Sequence, residues 1–373
     1  MRVSRIIWQR FKDSSIRARD LFRDVAHKEL QTPLIKLRHE QRIPGSTTKN
    51  FPEHISTKPN RRFKAIQLVS NEEETKNIAK CLRSYLDELI VDFPGILIKG
   101  LPISSIADFN FFAKELAFKC LDVSSGRGYR SHLVDNIYVA SDEPKEIIIE
   151  PHNEMAYSAV SPGKIMFCCV KPADEGGANP LVFNHDIMRD LDENVTDKII
   201  NKKVRYYANL RLANDGEATT KKTMDFTWQG TLRVNTEQEA EQVMASQHLN
   251  WKWRSNGDLA ICTTLDALRA HPVSGELIWF NQVTNNHASY YQAYPKYSSP
   301  EYLDPWKVPY HCTYGDGEEF EEYVLDHVRT TIWSNAMSLK LEAGDILLMD
   351  NFLCQHSRTR FNGDRIYAVQ LIE

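Results

Sequence analysis

The sequence predicts a mainly β protein with helical insertions, an α+β chain built around a β-sandwich or barrel. From about residue 135 onward, short apolar or alternating runs are separated by Gly, Pro, Asn and Asp, as in KIMFCCV, NPLVF, ELIWFNQ, DILLMD and RIYAVQLI. Such runs are typical of strands, and they do not alternate regularly with helices as they would in a βαβ protein. The 42% hydrophobic and 26% charged residues indicate an ordinary globular chain.

Helical periodicity marks the segments that precede and interrupt these strands. Residues 72–89 carry apolar side chains at helical spacing, and the run GILIKG that follows is predicted to be a strand. Residues 109–118 are predicted to form a second amphipathic helix, with Asp108 placed to cap it. Residues 182–203 and 319–338 are predicted to be helical insertions in the β region.

The chain is predicted to divide into an N-terminal extension, residues 1–63, and a large domain, residues 64–373. Residues 1–42 contain eleven Lys and Arg against five acids, with apolar residues at spacings that favour a basic helix packed on the body of the protein. Residues 43–63 are rich in Pro, Gly, Ser and Thr and are interpreted as a linker. A mitochondrial transit peptide should be poor in acids, so the acidic residues count against one.

The overall charge and cysteine content exclude several classes of protein. A net charge of -4 gives no electrostatic case for a nucleic-acid partner, and the longest apolar runs are far too short to cross a membrane. The seven cysteines are odd in number and contain no C-x-x-C pair, which is not typical of a disulfide framework. The N-terminus lacks the apolar core of a secretory signal, so we expect a cytoplasmic location.

The stretch IIIEPHNEMAYS, residues 147–158, contains the first candidate site. Its isoleucine run predicts a buried strand, and alternation along extended chain places His152 and Glu154 on one face with Asn153 on the other. An imidazole and a carboxylate side by side could be two ligands of one metal or an ordinary hydrogen-bonded pair. H-x-E alone does not distinguish these alternatives.

The C-terminal stretch GDILLMDNFLCQHSRTRFNGDRIYAVQLIE supplies further candidates. It is interpreted as strand, turn, a short strand ending at His356, a turn at Asn362-Gly363 and a final strand. A tight two-residue hairpin would place Arg360 opposite Arg365, and such a pair of guanidinium groups favours an anion between them. If the two strands instead belong to facing sheets, only Arg365 need point inward.

Two histidines and one carboxylate are the usual ligands of non-haem Fe(II) oxygenases, and the helical H-E-x-x-H pattern of zinc proteases is absent. The chain resembles the Fe(II)/2-oxoglutarate-dependent oxygenases of the TauD/TfdA superfamily, most of all the branch of clavaminate synthase-like and syringomycin-biosynthesis-type hydroxylases. The matching stretches are PHNEMAYS with KIMFCCVKPADEGGANPLVF, then HPVSGELIWFNQ, then GDILLMDNFLCQHSRTRFNGDRIYAV. They span roughly residues 90–373 in the order expected of the family.

The resemblance implies a double-stranded β-helix, or jelly-roll, core and a defined set of site residues. His152, Glu154 and His356 would bind Fe(II), and Arg365 would bind the distal carboxylate of 2-oxoglutarate, with Arg360 as a helper. The family motif GG-x-T-P usually offers Thr to 2-oxoglutarate, whereas Asn179 stands at that position in GGANPL. Asn can still donate a hydrogen bond to the co-substrate.

The reaction implied by the resemblance is hydroxylation of a small molecule with O2 and 2-oxoglutarate, releasing succinate and CO2. Related halogenases replace the carboxylate ligand with a small residue, so Glu154 favours hydroxylation, or a related desaturation or epoxidation. The substrate would be a small molecule, amino-acid-like or tethered to a carrier protein. The alternative is a catalytically silent jelly-roll scaffold or ligand-binding protein. The oligomeric state is left open.

Other polar and aromatic residues are weaker candidates for the site. His271 in AHPVSGE is predicted to support a turn. His287, His311 and the pair Tyr290-Tyr291 are candidates for the substrate pocket, and the resemblance adds Asn281 and Gln282.

Overall fold

A computed structural model describes residues 18–69, 74–121, 130–214 and 226–373. Strands predominate after residue 130, and helices stand between groups of them. The strands are β1 Phe22–Asp24, β2 Phe63–Leu68, β3 Gly95–Lys99, β4 His132–Val134, β5 Ile137–Val139, β6 Ile149–His152, β7 Lys164–Lys171, β8 Glu175–Gly176, β9 Leu181–Phe183, β10 Val204–Leu210, β11 Asn250–Trp253, β12 Leu259–Leu265, β13 Leu268–Ala270, β14 Leu277–Trp279, β15 Tyr310–Tyr314, β16 Ile346–Asp350, β17 Cys354–Arg358, β18 Phe361–Asn362 and β19 Ile366–Ile372. The α-helices are α1 Thr75–Asp92, α2 Ile106–Leu116, α3 Asn184–Asp190, α4 Glu193–Lys202, α5 Trp228–Leu232, α6 Glu237–Ser246, α7 Val283–Asn286, α8 Ala288–Gln292 and α9 Glu322–Ser334.

The largest sheet has eight strands in the order β1-β2-β3-β16-β7-β19-β5-β4. Its neighbouring strands are antiparallel except β2 and β3, which are parallel and are connected through helix α1. On its outer face, Ile98, Met166 and Leu348 are buried in one cluster with Leu82 of α1 and Phe112 of α2. The two helices therefore cover this face, as their apolar spacing predicts.

The inner face of the large sheet packs against a three-stranded sheet of order β6-β17-β9. Leu97, Phe167 and Val369 of the large sheet share a buried cluster with Leu181 and Cys354 of the small one. Side chains alternate along each strand, so one set of residues faces the helices and the next set faces the small sheet. The mainly β fold class with helical insertions is confirmed, and the small sheet carries the candidate site.

Helix α2 begins at Ile106, three residues before the predicted start. The Ser105 hydroxyl oxygen accepts a hydrogen bond from the Asp108 backbone N–H at 3.1 Å, so Ser105 is the N-cap. The Asp108 carboxylate instead accepts from the Ser104 N–H at 3.0 Å. Asp108 therefore reinforces the helix start from inside the first turn and does not cap it.

Both segments that were predicted to be helical insertions, residues 182–203 and 319–338, contain helices. Residues 182–203 contain α3 and α4, which are separated where the Asp192 side chain caps α4. Residues 319–338 contain α9. A further four-stranded sheet, β11-β12-β10-β15, lies in the chain segment between β9 and β16. None of the described helices is long and apolar enough to cross a membrane.

The helix predicted within residues 1–42 is wrong over residues 22–42, while residues 1–17 lie outside the described residues. Phe22 belongs to β1, which adds an edge strand to the large sheet by pairing with β2. Long-range backbone pairing thus overrides the local apolar spacing. Most of the remaining segment consists of turns, but Leu37, Phe51 and Ile55 are buried in a core cluster with residues of the large domain. This segment is packed into the protein.

Of the two arrangements considered at Asn362-Gly363, the tight hairpin does not form. Gly363 does occupy the left-handed region with φ 78°, but β18 pairs with β8, whereas β19 pairs with β7 and β5. The two strands that flank the turn therefore belong to different sheets. The apolar side chains of β19 explain this separation, because Tyr367, Val369 and Leu371 are buried between the large sheet and the three-stranded sheet.

Candidate functional site

Strand pairing brings the two candidate histidines together. His152 ends β6 and is the direct cross-strand partner of His356 in β17, with ring centroids 4.3 Å apart. Glu154 follows two residues after His152, and its Oε2 lies 4.0 Å from His152 Nε2 and 3.7 Å from His356 Nε2. Asn153 is fully buried and hydrogen bonds to the Asn351 carbonyl, away from this group. The predicted alternation places His152 and Glu154 together, and the pairing of β6 with β17 adds His356, so three side chains that could hold a metal ion meet.

The geometry and protonation of this cluster fit a metal ion. Donors bound to one ion at about 2.0–2.2 Å lie at most about 4.4 Å apart, and both measured separations fall within that limit. The His152 Nδ1–H donates to the Glu150 carbonyl at 2.9 Å, which leaves the Nε2 lone pair facing Glu154. Burial lowers the pKa of His152 and lowers that of His356 still further, so both rings are held neutral, as metal ligands must be.

The backbone of Glu154 is fixed by a buried asparagine. Asn351 Oδ1 accepts from the Glu154 N–H at 2.7 Å, and its Nδ2 donates to the Glu154 carbonyl at 3.0 Å and to the Pro162 carbonyl at 2.9 Å. Asn351 is fully buried at the turn between β16 and β17. It therefore ties the loop carrying Glu154 to the strand carrying His356.

We expect Asn351→Ala to destabilise the protein, because it leaves three buried backbone groups without their partner. An unsatisfied buried polar group costs about 1–3 kcal/mol, so we expect a loss of about 3 kcal/mol or more in the free energy of unfolding, measured by urea denaturation. Asn362→Ala removes an exposed side chain that bonds to Glu175, and it should change stability little. Equal losses in the two variants would contradict the role assigned to Asn351.

An arginine that sequence reasoning missed neutralises the carboxylate. Arg130 Nη2 lies 2.5 Å from Glu154 Oε2, and Arg130 also donates to the Ala140 carbonyl. Burial tends to raise the pKa of Glu154, but the charge and hydrogen bond of Arg130 oppose this effect, and the pKa lies below its ordinary value. No local motif surrounds Arg130 in the sequence, and only the folded structure brings it to Glu154.

We expect Arg130→Met to destabilise the metal-free protein by about 3–5 kcal/mol, since it leaves a buried carboxylate without its partner. A divalent cation at Glu154 would replace the lost positive charge, so the loss should shrink when Mn(II) is added. Thermal unfolding with and without Mn(II) measures both effects. Lys114→Met breaks an exposed ion pair with Asp135 and should cost less than about 1 kcal/mol in either condition. A loss for Arg130→Met that Mn(II) leaves unchanged would contradict this pairing.

Arg365 is a part-buried cation without a carboxylate partner among the described residues. Its guanidinium stacks on the Tyr367 ring at 3.4 Å, and its Nη2 lies 3.5 Å from Asn179 Oδ1. The Arg365 Nε is buried and has no hydrogen-bond partner in the described part of the chain. Burial lowers the pKa of Arg365 to about 10, which still leaves it charged at neutral pH. A part-buried guanidinium with an unused donor is matched to a planar anion such as a carboxylate.

A cavity of about 200 Å³ joins these features. It is lined by the histidine and glutamate cluster, by Arg130, and by Arg365 with Asn179. The cavity is also lined by three residues that were candidates for the substrate pocket on sequence grounds, Gln282, Tyr290 and Tyr291. One cavity is therefore lined by three side chains that could hold a metal ion, by a cationic guanidinium and by aromatic rings.

The sequence profile described as "Taurine catabolism dioxygenase TauD, TfdA family" matches residues 62–370. The chain belongs to the TauD/TfdA family. The predicted class of enzyme, a non-haem Fe(II)/2-oxoglutarate-dependent dioxygenase with a jelly-roll core, is thereby confirmed, as is its requirement for iron and 2-oxoglutarate.

Individual relatives of this TauD/TfdA protein differ widely from it in sequence. It is 27% identical to the dapdiamide synthesis protein DdaC of Enterobacter agglomerans over 77% of this chain and 84% of that protein. It is 24% identical to a clavaminate synthase-like protein of Arabidopsis thaliana over 90% of this chain and 96% of that protein. The solved structure of PvcB from Pseudomonas aeruginosa is 12% identical, with a TM-score of 0.48 and coverage of 91% of both chains.

Arg360, predicted as a helper for the co-substrate, lies outside the cavity of this TauD/TfdA protein. Its side chain is 65% exposed, and its Nη2 lies 3.4 Å from Glu40 Oε2. Because β18 and β19 join different sheets, Arg360 and Arg365 do not face each other across a hairpin. The prediction that Arg360 helps to bind 2-oxoglutarate is therefore wrong, because its side chain does not line the cavity.

A second group, His287, His311 and Glu319, brings ligand atoms within 4.8 Å of one another but does not have the protonation of a metal site. Both Nδ1 atoms accept backbone hydrogen bonds, from Ser289 N–H in one ring and Ala288 N–H in the other. Each neutral ring must therefore carry its proton on Nε2, and His311 Nε2 donates it to Glu319 at about 3.0 Å. The two Nδ1 atoms are therefore hydrogen bonded to the start of helix α8, and His311 Nε2 is hydrogen bonded to Glu319.

His271 supports a turn, as predicted. Its Nδ1 accepts from the Ser274 N–H at 3.1 Å, and its Nε2 lies 3.0 Å from Asp350 Oδ2. It does not line the cavity that contains the metal-ligand cluster.

Proposed function

We propose that His152, Glu154 and His356 bind the iron of this dioxygenase, and that Arg365 and Asn179 bind the distal carboxylate of 2-oxoglutarate. The observation that carries the proposal is the cross-strand pairing of His152 with His356, which places both Nε2 atoms beside the Glu154 carboxylate in a buried cavity. The guanidinium of Arg365, whose Nε has no hydrogen-bond partner among the described residues, lines the same cavity.

Each residue of the chain has a distinct task in this proposal. The two neutral imidazoles and the carboxylate fix the ion and leave other coordination positions for the co-substrate and O2. When bound, iron and 2-oxoglutarate supply the oxidising chemistry that hydroxylates a C–H bond, with release of succinate and CO2. Arg365 orients the co-substrate through its carboxylate, and the buried aromatic wall excludes water from the reacting groups.

We further propose that the substrate is a small molecule, amino-acid-like or attached to a carrier protein, and that the protein acts in the cytoplasm. DdaC is by name a protein of dapdiamide synthesis, which supports a role in the biosynthesis of a small metabolite. The seven cysteines are free thiols, as expected of a reducing compartment. We propose that the catalytic domain covers residues 64–373, because the family match begins at residue 62.

The decisive experiment is anaerobic reconstitution with Fe(II) and 2-oxoglutarate. We expect the weak visible charge-transfer band of the chelate to form and, once O2 is admitted, 2-oxoglutarate to be consumed as succinate appears. A panel of candidate substrates, tested free and carrier-attached, should then stimulate succinate release selectively. Binding of neither iron nor 2-oxoglutarate would instead indicate the catalytically silent scaffold.

A further inference from the structure

A carboxylate that neither the metal cluster nor the co-substrate site uses lines the same cavity. Glu143 Oε2 is buried and has no hydrogen-bond partner in the described residues. Burial raises the pKa of Glu143 to about 7, although Arg358 opposes the shift. A buried acceptor without a donor is costly, so this oxygen is suited to a ligand that brings one.

Arg358 does not satisfy this carboxylate. Its guanidinium is directed at backbone carbonyl oxygens, at 2.9 Å to Glu143, 2.5 Å to Pro144 and 3.1 Å to Ile147. Arg358 thus holds the loop in place through its main chain, and no ion pair to the Glu143 side chain forms among the described residues. Glu143 is partly ionised at neutral pH, and its unpartnered oxygen remains available to the cavity.

A second unpaired acceptor lines the cavity. Asn285 Oδ1 is buried and also lacks a hydrogen-bond partner in the described residues. Asn285 lies in helix α7, whereas Glu143 lies in the loop before β6, so two separate elements contribute unsatisfied oxygens. Both atoms accept hydrogen bonds, and a ligand with several N–H donors could satisfy them together.

Aromatic rings complete this part of the cavity. Tyr290 and Tyr291 line it with their rings 5.2 Å apart, and Phe226 and Tyr310 line it with theirs 5.0 Å apart. Glu143 and Tyr290 line the same cavity, and burial together with the charge of Glu143 raises the pKa of Tyr290. Aromatic faces attract cations, most strongly where water is excluded.

We propose that the cavity recognises a substrate carrying a protonated amine, held by Glu143 and Asn285 beside the tyrosine rings. The inference rests on the proposed function, because it treats Arg365 as the anion-binding group of the co-substrate and Glu143 as the charge left for the substrate. A cationic nitrogen offers the donors that both oxygens lack and neutralises the buried carboxylate. An anionic substrate group at this position would meet repulsion from Glu143.

Three probes of similar shape test the charge preference: pentylammonium, 1-pentanol and hexanoate. Each is titrated anaerobically into the protein loaded with Fe(II) and 2-oxoglutarate, and binding is followed by the change in the chelate band and by ligand-observed NMR. We expect pentylammonium to bind at least about tenfold more tightly than the other two, a difference of about 1.4 kcal/mol. Equal binding, preference for hexanoate or absence of pentylammonium binding would overturn the proposal.

The variant Glu143→Gln locates the preference, and Glu146→Gln is its matched control. Glu146 is an exposed glutamate in the same loop, so its replacement removes the same formal charge outside the cavity. Glu143→Gln should abolish the tenfold preference while the chelate band stays unchanged, and Glu146→Gln should retain both. A preference that survives in Glu143→Gln would overturn the assignment. Loss of the band in the wild-type protein would contradict the proposed function, whereas the NMR titration still reports on the amine site.

Discussion

Alanine at His152 or at His356 is expected to abolish the charge-transfer band of the Fe(II)–2-oxoglutarate complex. Each substitution leaves one imidazole and Glu154, and a site with a third of its protein ligands removed should no longer hold iron at micromolar concentration. The two rings are direct partners across β6 and β17, and no other described histidine lies close enough to Glu154 to replace them. Both variants should therefore fail in the same way.

Metal analysis after anaerobic dialysis measures this loss directly. His54→Ala is the matched control, because His54 is exposed and lies outside the cavity, and it should retain about one iron per chain. Circular dichroism establishes that each variant is folded. Full iron content in folded His356→Ala would show that the ion is bound elsewhere.

Arg365→Ala is expected to raise the apparent KM for 2-oxoglutarate by about a hundredfold or more, which corresponds to about 2.7 kcal/mol. Loss of one partner from a buried charge-assisted pair has a cost of this size. Arg365→Lys should recover little of the affinity, because an ammonium cannot reproduce the forked guanidinium or its stacking on Tyr367. Iron binding should survive in both variants.

Arg360→Ala is the natural control for Arg365. It removes the same chemical group from the same turn region, but at the surface beside Glu40, so the KM for 2-oxoglutarate should remain within about twofold of the wild-type value. Titration of 2-oxoglutarate against both variants compares them under one condition. A large increase of the KM for 2-oxoglutarate in Arg360→Ala, with an unchanged KM in Arg365→Ala, would reverse the assignment.

The grouping of His152, Glu154 and His356 could be predicted because local pattern and family resemblance agree on them. The isoleucine run before His152 indicates a buried strand, and alternation then fixes which of the next side chains share its face. The position of Arg365 beside the cavity agrees with the family resemblance, from which its role was taken. Its role as a ligand of 2-oxoglutarate, like the metal binding of the cluster, stays a prediction.

The remaining site residues could not be predicted, because their roles depend on contacts between distant segments. Nothing around Arg130 or Glu143 distinguishes either from a surface charge, and each becomes significant only through its burial beside the cavity. The Asn362-Gly363 signal correctly indicated a turn but not the pairing of its flanking strands, which depends on the layers that bury β19. The local sequence predicts turns and the alternation of side chains along a strand, whereas tertiary packing determines which strands pair.

The position of the cavity-lining segments has a consequence for how this protein can change its selectivity. After β9, which pairs with the strand that carries His356, the chain leaves the small sheet and rejoins the core at β16, just before β17. This excursion contains Gln282, Tyr290 and Tyr310, which line the cavity, and it contains none of His152, Glu154 and His356. Libraries restricted to the cavity-lining residues of this excursion should therefore alter substrate choice and preserve iron loading.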